Sequence, residues 1–180
     1  AGVTSFDVPM PATVAADDLL LVAATWWGAA PTGWTALGGG VFAKVAVGDE
    51  DSTNVTFSVT AVNHPIFAHR WRISNWVEVV AGVECRLSGW KSGPTFSTQG
   101  VFSIAPSWGA IPSLFIAGVD SPFAGSTEPT LGSAASPSFG DSMFSSRNNS
   151  GSWSYFATAR RTATATQVTW DNFVINNSNG

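Results

Sequence analysis

The stretch Asp17-Asp18-Leu19-Leu20-Leu21-Val22-Ala23-Ala24-Thr25-Trp26-Trp27-Gly28-Ala29-Ala30-Pro31-Thr32-Gly33-Trp34 decides the fold. Two acids close a polar turn, Leu19 to Ala24 run apolar without a break, and Gly28, Pro31 and Gly33 then interrupt the chain before Trp34. An unbroken apolar run of this length between turn residues reads as a strand buried on both faces, because a half-buried strand alternates apolar and polar. A helix is the competing reading. Thr25, the paired tryptophans and the breakers weaken it, since they would end it within about two turns. The strand is expected at the centre of a β-sandwich with the rest of the chain layered on it.

Composition points the same way. Only 11% of the 180 residues are charged, while there are nine Trp, twelve Phe and abundant Gly, Ser, Thr, Ala and Asn. That mixture is short of helix formers and rich in strand and turn residues, so the expected class is all-β. The length suits one domain, residues 1–180, with a core that needs no covalent staples. A net charge of −4 with eight scattered basic residues gives no stripe to neutralise a phosphate backbone, which argues against a nucleic-acid partner. No stretch approaches the roughly 20 apolar residues of a membrane helix. No basic-plus-apolar leader opens the sequence, so no signal peptide is expected. Cys85 is alone and reads as a small buried hydrophobe. A surface this poor in charge and rich in aromatics suggests that a partner covers part of it, as in an oligomer or assembly.

Outward from the central run, period-two alternation marks further strands. Residues 2–9 form a first strand that Pro9 and Pro11 stop, and 35–37 a short one before the corner Gly38-Gly39-Gly40. Residues 41–47 and 54–62 alternate plainly across the acidic turn 48–53 and read as a hairpin. Along 66–73, Phe67, His69, Trp71 and Ile73 share one face, and Arg70 and Arg72 the other. Residues 77–87 read as strand and 88–99 as turn. A second apolar run follows at 112–119, and 121–138 reads as a long loop. A short strand and turn at 140–149, a terminal hairpin of 152–161 with 166–170, and an edge strand at 172–175 complete about eleven strands. A weak internal repeat relates Leu19-Leu20-Leu21-Val22-Ala23 to Ser113-Leu114-Phe115-Ile116-Ala117, and residues 42–57 to 156–170, so each half offers a fully buried strand and a hairpin.

Signs of chemistry are few. His64 and His69 stand five apart, on opposite faces of a strand, and cannot chelate together. His69 reads as a packed core residue beside Phe67 and Trp71. Gly140-Asp141-Ser142 resembles the start of a serine esterase block, yet no His follows and no Gly-x-Ser-x-Gly elbow exists. Asp49-Glu50-Asp51 reads as a solvated turn more readily than as a calcium loop. No catalytic residue, metal site or cofactor is expected. Candidate interface or ligand residues are Trp90, Trp108 and Phe123, which lie in loop-like sequence where a large ring could anchor a protein contact or stack on a sugar. Arg160 and Arg161, and also Arg70 and Arg72, could pair with acids of a neighbouring subunit.

The order Ala16-Asp17-Asp18-Leu19-Leu20-Leu21, Pro31-Thr32-Gly33-Trp34-Thr35-Ala36-Leu37, Val41-Phe42-Ala43-Lys44-Val45-Ala46 and Asn54-Val55-Thr56-Phe57 resembles a jelly-roll-type β-sandwich domain of tailed-bacteriophage structural proteins. Family members show a Gly-Asp-Leu-Leu-like entry to the buried strand, a Pro-x-Gly-Trp turn and a strand similar to Tyr-Lys-Val-Ala. The second half is similar more loosely, through Leu114-Phe115-Ile116-Ala117-Gly118 and residues 157–170, and Asp17 stands where Gly is common. The resemblance implies a single antiparallel jelly-roll sandwich with long loops, in a virion component assembled in the host cytoplasm. Its expected partner is the major capsid protein or a neighbouring virion protein. A capsid decoration or cement protein fits a compact chain without a stalk, and symmetry favours a homo-trimer. The alternative is a tail-tip or receptor-binding module that holds host surface carbohydrate through loop aromatics.

Overall fold

The computed structural model describes residues 3–25, 28–62, 65–76, 102–121, 128–133, 140–149, 152–170 and 174–176. Among them the chain is all-β, with thirteen strands in antiparallel ladders and no helix, where sequence suggested about eleven strands. The chain divides into two compact units, Ala1–Leu87 and Ser88–Gly180.

In the first unit, β1 (Val3–Pro9) pairs with β5 (Asn54–Val62), while β2 (Leu19–Ala24), β3 (Thr35–Gly38), β4 (Val41–Val45) and β6 (Ala68–Ile73) form a four-stranded sheet in the order β3-β4-β2-β6. The leucine-led run is therefore an interior strand with ladders on both sides, and four of its first four residues are buried. The Pro-x-Gly-Trp segment is a turn in which Trp34 N–H donates to the Pro31 carbonyl at 3.0 Å. Gly33 supplies the φ of 81° that such a turn requires. The turn delivers Trp34 into the core, edge-on to Phe57 at 5.4 Å.

Phe57 is the hub of that core. Phe6 stacks on it at 5.6 Å and Phe42 meets it at 5.1 Å, so the two-stranded and four-stranded sheets share one apolar layer with Val8, Leu20, Val22 and Ala24. Burying a ring of this size contributes about 1.5–3 kcal/mol. This is a sandwich-like packing of two sheets. The expected hairpin of residues 41–47 with 54–62 is not present: β4 pairs with β2 and β3, and β5 pairs with β1. The eight-residue link 46–53 is too long for a tight hairpin turn and carries the chain from one layer to the other.

In the second unit, β8 (Pro112–Ser121), β10 (Gly140–Asn149) and β11 (Ser152–Thr164) form a sheet in the order β10-β11-β8. Two further pairs are β7 (Phe102–Ile104) with β12 (Val168–Trp170), and β9 (Thr130–Ser133) with β13 (Val174–Asn176). Phe115, Ala117, Ala157, Ala159 and Val168 make its core, with Ile104, Val119 and Phe144 packed against them.

Several sequence expectations are corrected here. The fully buried strand of this unit is β11, where Ser154 to Ala159 are all buried, and not the apolar run 112–119, which lies at the sheet edge and alternates. Residues 140–149 form one strand without a turn, the terminal hairpin is replaced by β11 pairing with β10 and β8, and β9 interrupts the expected loop 121–138. The internal repeat is mirrored in that β2 pairs with β4 and β8 with β11, but the register differs. Val22 faces Phe42, whereas Ile116 and Phe156 face Arg160 and Asp120. The expected strand 77–87, the turn 88–99, Cys85 and His64 lie outside the described residues.

Candidate interface site

Alternation places the side chains of the four-stranded sheet on two faces. One face carries Leu20, Val22 and Phe42 into the core, and Lys44, Arg70 and Arg72 share it. The other carries Leu19, Leu21 and Ala23 on β2, Val41, Ala43 and Val45 on β4, and His69, Trp71 and Ile73 on β6. The charges thus sit on the core-facing side, at its rim, and the outer side of these three strands has none but a histidine.

The rim cations are all engaged by the chain's own groups. Arg70 Nη1 donates to the Pro9 carbonyl, and Arg72 donates to the Thr13 carbonyl and, at 2.9 Å, to its hydroxyl. Arg72 Nε lies 3.5 Å from Asp18, whose carboxylate also accepts from Ala15 N–H at 2.8 Å. Asp51 accepts from Val14 N–H, and Trp76 Nε1 donates to the Asp17 carbonyl at 2.8 Å. Arg70 and Arg72, expected to reach a neighbour's acids, instead fasten the segment 9–18 to β6.

Lys44 pairs with Glu50 at 2.7 Å. Glu50 is 4% exposed, so the middle acid of the turn is not solvated as its composition suggested, while Asp49 and Asp51 are exposed. Its carboxylate accepts the N–H groups of Val47, Gly48 and Asp49 at 3.0–3.2 Å. Burial would raise the carboxyl, but the hydrogen bonds from Lys44, Val47 and Gly48 outweigh it and hold it at about 2. Sequence reasoning missed this residue because three consecutive acids carry no mark of which one turns inward.

On the outer face His69 is buried and stands edge-on to Trp71 at 6.4 Å, as its spacing predicted. Burial pulls its imidazole down to about 4. Val45 on this face is 45% exposed, and Val47 just beyond it 67%.

Of the candidate residues, the structure gathers three at one end of the second unit's sheet. Trp108 is half-buried and its Nε1 donates to Ser113 Oγ at 3.1 Å, while that hydroxyl donates to the Ile111 carbonyl at 3.0 Å. Ser113 lies opposite Ala163, and Phe115, next on the same face, lies opposite Arg161. Arg160 points to the other face, where its Nε and Nη2 donate to one oxygen of Asp141 at 2.9 and 2.7 Å. Asp141 sits in a bulge of β10 with φ 44°. Arg160 is thus occupied by an intrachain acid. Leu114, 36% exposed, is the apolar neighbour at this end. Trp90 and Phe123 lie outside the described residues.

Among the described residues no three His, Cys, Asp or Glu side chains are grouped to hold a metal ion. The arrangement offers recognition by apolar contact, at Val45, Val47 and Leu114. No protein-family model matches the chain, and neither a curated protein nor a solved structure matches it.

Proposed function

We propose that this chain is a structural accessory protein of a tailed-phage particle: a jelly-roll-type capsid decoration protein that binds the head surface, as an oligomer, and stabilises the assembled shell. The observation that carries the reading is the exposed apolar pair Val45 and Val47, at the end of β4 in the four-stranded sheet. Its rim cations are bound to the chain's own carbonyls and carboxylates, and its outer face is uncharged from Val41 through Ala23 to His69. Leu19, Leu21, Ala43 and His69 of that face are buried within the chain, so what it presents outward is Val45 with Val47 just beyond, an uncharged patch of the kind a protein neighbour covers. A protein that binds only the assembled state stabilises it by mass action.

The local geometry supports the family resemblance as well. Residue 17, where family members carry Gly, has the left-handed φ of 67° that Gly adopts freely, and the Pro-x-Gly-Trp segment is the turn that seats a core tryptophan.

Particles lacking the protein are expected to rupture on heating or dilution into low salt under conditions that complete particles survive, and purified protein added back restores resistance. Equal robustness of both particle types, with adsorption to cells lost, would remove the decoration role. It would favour a tail-tip module instead, a second reading supported by Trp108, whose indole is held in place by Ser113. In that case glycan binding is abolished by Trp108→Ala.

A further inference from the structure

We propose that the turn 47–49 is a carboxylate-binding cradle that Glu50 fills from within the chain, so that removing the Glu50 side chain opens a site for a small carboxylate from solution. Three successive backbone N–H groups converge on this carboxylate: Val47 reaches Oε1 at 3.1 Å and Oε2 at 3.2 Å, Gly48 reaches Oε2 at 3.0 Å and Asp49 reaches it at 3.2 Å. The Lys44 ammonium completes the set at 2.7 Å from Oε1. Successive N–H groups in a turn that enters positive φ form a concavity suited to anions, and Gly48 takes a φ of 90° here.

The cradle is built into the fold. Lys44 is on β4, paired with Leu20. The Gly48 backbone lies so close to the preceding loop that an added Cβ would meet Ala16 N at 3.2 Å. Ala46 exchanges backbone hydrogen bonds with Asp17 N–H and the Asp18 carbonyl at 2.9 and 2.8 Å. Thr53 Oγ1 donates to the Glu50 carbonyl at 2.9 Å, fixing the residue's own backbone. The backbone on either side of the cradle is therefore held by contacts that do not involve the Glu50 side chain. The site selects a carboxylate because two oxygens are served at once, one by Lys44 and Val47 and the other by Gly48 and Asp49.

The test uses the full chain. In Glu50→Ala, formate is expected to bind saturably with a dissociation constant on the order of millimolar, shifting the amide resonances of Val47, Gly48 and Asp49 and raising the thermal midpoint by about 5 °C. Chloride at matched ionic strength leaves both unchanged. Adding Lys44→Met to Glu50→Ala weakens formate binding at least tenfold. The inference is overturned if formate acts no differently from chloride, or acts equally on the wild-type chain. Should Glu50→Ala fail to fold, the wild-type chain decides. Its Val47, Gly48 and Asp49 amides are expected to titrate together near pH 2 with the Glu50 carboxyl. Independent midpoints, or a shared one at the value of an exposed glutamate, refute the cradle.

Discussion

At the two turns that flank β2 the backbone enters the left-handed region, with opposite residue choices. Asp17 precedes the strand at φ 67° and Gly33 follows it at φ 81°. An L-residue with a Cβ is strained there, and a glycine is not. Asp17→Gly is therefore expected to stabilise the fold by about 0.5 kcal/mol, the relief of strain being partly offset by the greater entropy of an unfolded glycine. Gly33→Ala is expected to cost about 1 kcal/mol. Urea denaturation midpoints with unchanged slope check both, and equal effects of the same sign would refute the pair. The Gly33 turn was legible from Pro31-Thr32-Gly33-Trp34, because Gly at the third place of a turn is a direct mark of positive φ. The conformation of Asp17 was not, since an acid ahead of an apolar run is equally at home in extended backbone. The inward turn of Glu50 was hidden for a similar reason: what selects it from Asp49-Glu50-Asp51 is the direction of three backbone N–H groups.

Element by element, alternation located the strands better than it located their partners. The bounds of β2, β5 and most of β1 followed from runs of apolar and β-branched residues, because side-chain period depends on local backbone alone. Pairing depends on the links. The segment 46–53 leaves β4 through a turn braced by Glu50 and by backbone bonds to residues 11, 17 and 18, and β5 joins β1 in the other layer. In the second unit the centrally buried strand β11 reads Ser-Tyr-Phe-Ala-Thr-Ala over 154–159, and its polar residues disguised a strand enclosed on both faces. Close docking of loops on strands was equally invisible. Gly28 N–H donates to the Ser58 carbonyl at 2.8 Å, and Ser58 Oγ donates to the Ala29 carbonyl at 3.0 Å. A Cβ on Gly28 would lie 2.9 Å from the Ser58 carbonyl oxygen, within the backbone of β5. Gly28→Ala is expected to lift this loop from β5, breaking both bonds at a cost of about 1–3 kcal/mol. Hydrogen exchange of the residue 28 amide, accelerated toward that of an unprotected amide, would show the loop released. Unaltered protection would contradict the docking.

For the molecule as a whole, composition announced a charge-poor, all-β chain but could not say which face of a strand turns inward. On β6 the alternation of His69, Trp71 and Ile73 against Arg70 and Arg72 would ordinarily put the arginines outward. Here they seal the rim of the core, and the histidine lies buried on the far side. That placement makes the stability of the fold depend on pH in a defined sense. Burial lowers the imidazole from 6.5 to about 4, so the folded state holds His69 neutral while the unfolded chain binds a proton more readily. The stabilisation is complete above pH 6.5, declines as pH falls from 6.5 to 4, and amounts to about 3 kcal/mol over that range. Glu50 acts lower on the scale. Its carboxyl is depressed from 4.5 to about 2, and its contribution is present above pH 4.5 and lost between 4.5 and 2. Two successive limbs are therefore expected when unfolding free energy from urea titrations is plotted from pH 8 to pH 2. His69→Leu, which cannot take up a proton, is expected to remove the upper limb and leave the lower one. Because every other titrating group is common to both chains, the difference between wild type and variant isolates the histidine. A difference that stays constant across pH 7 to 4 would mean that this face leaves His69 open to water.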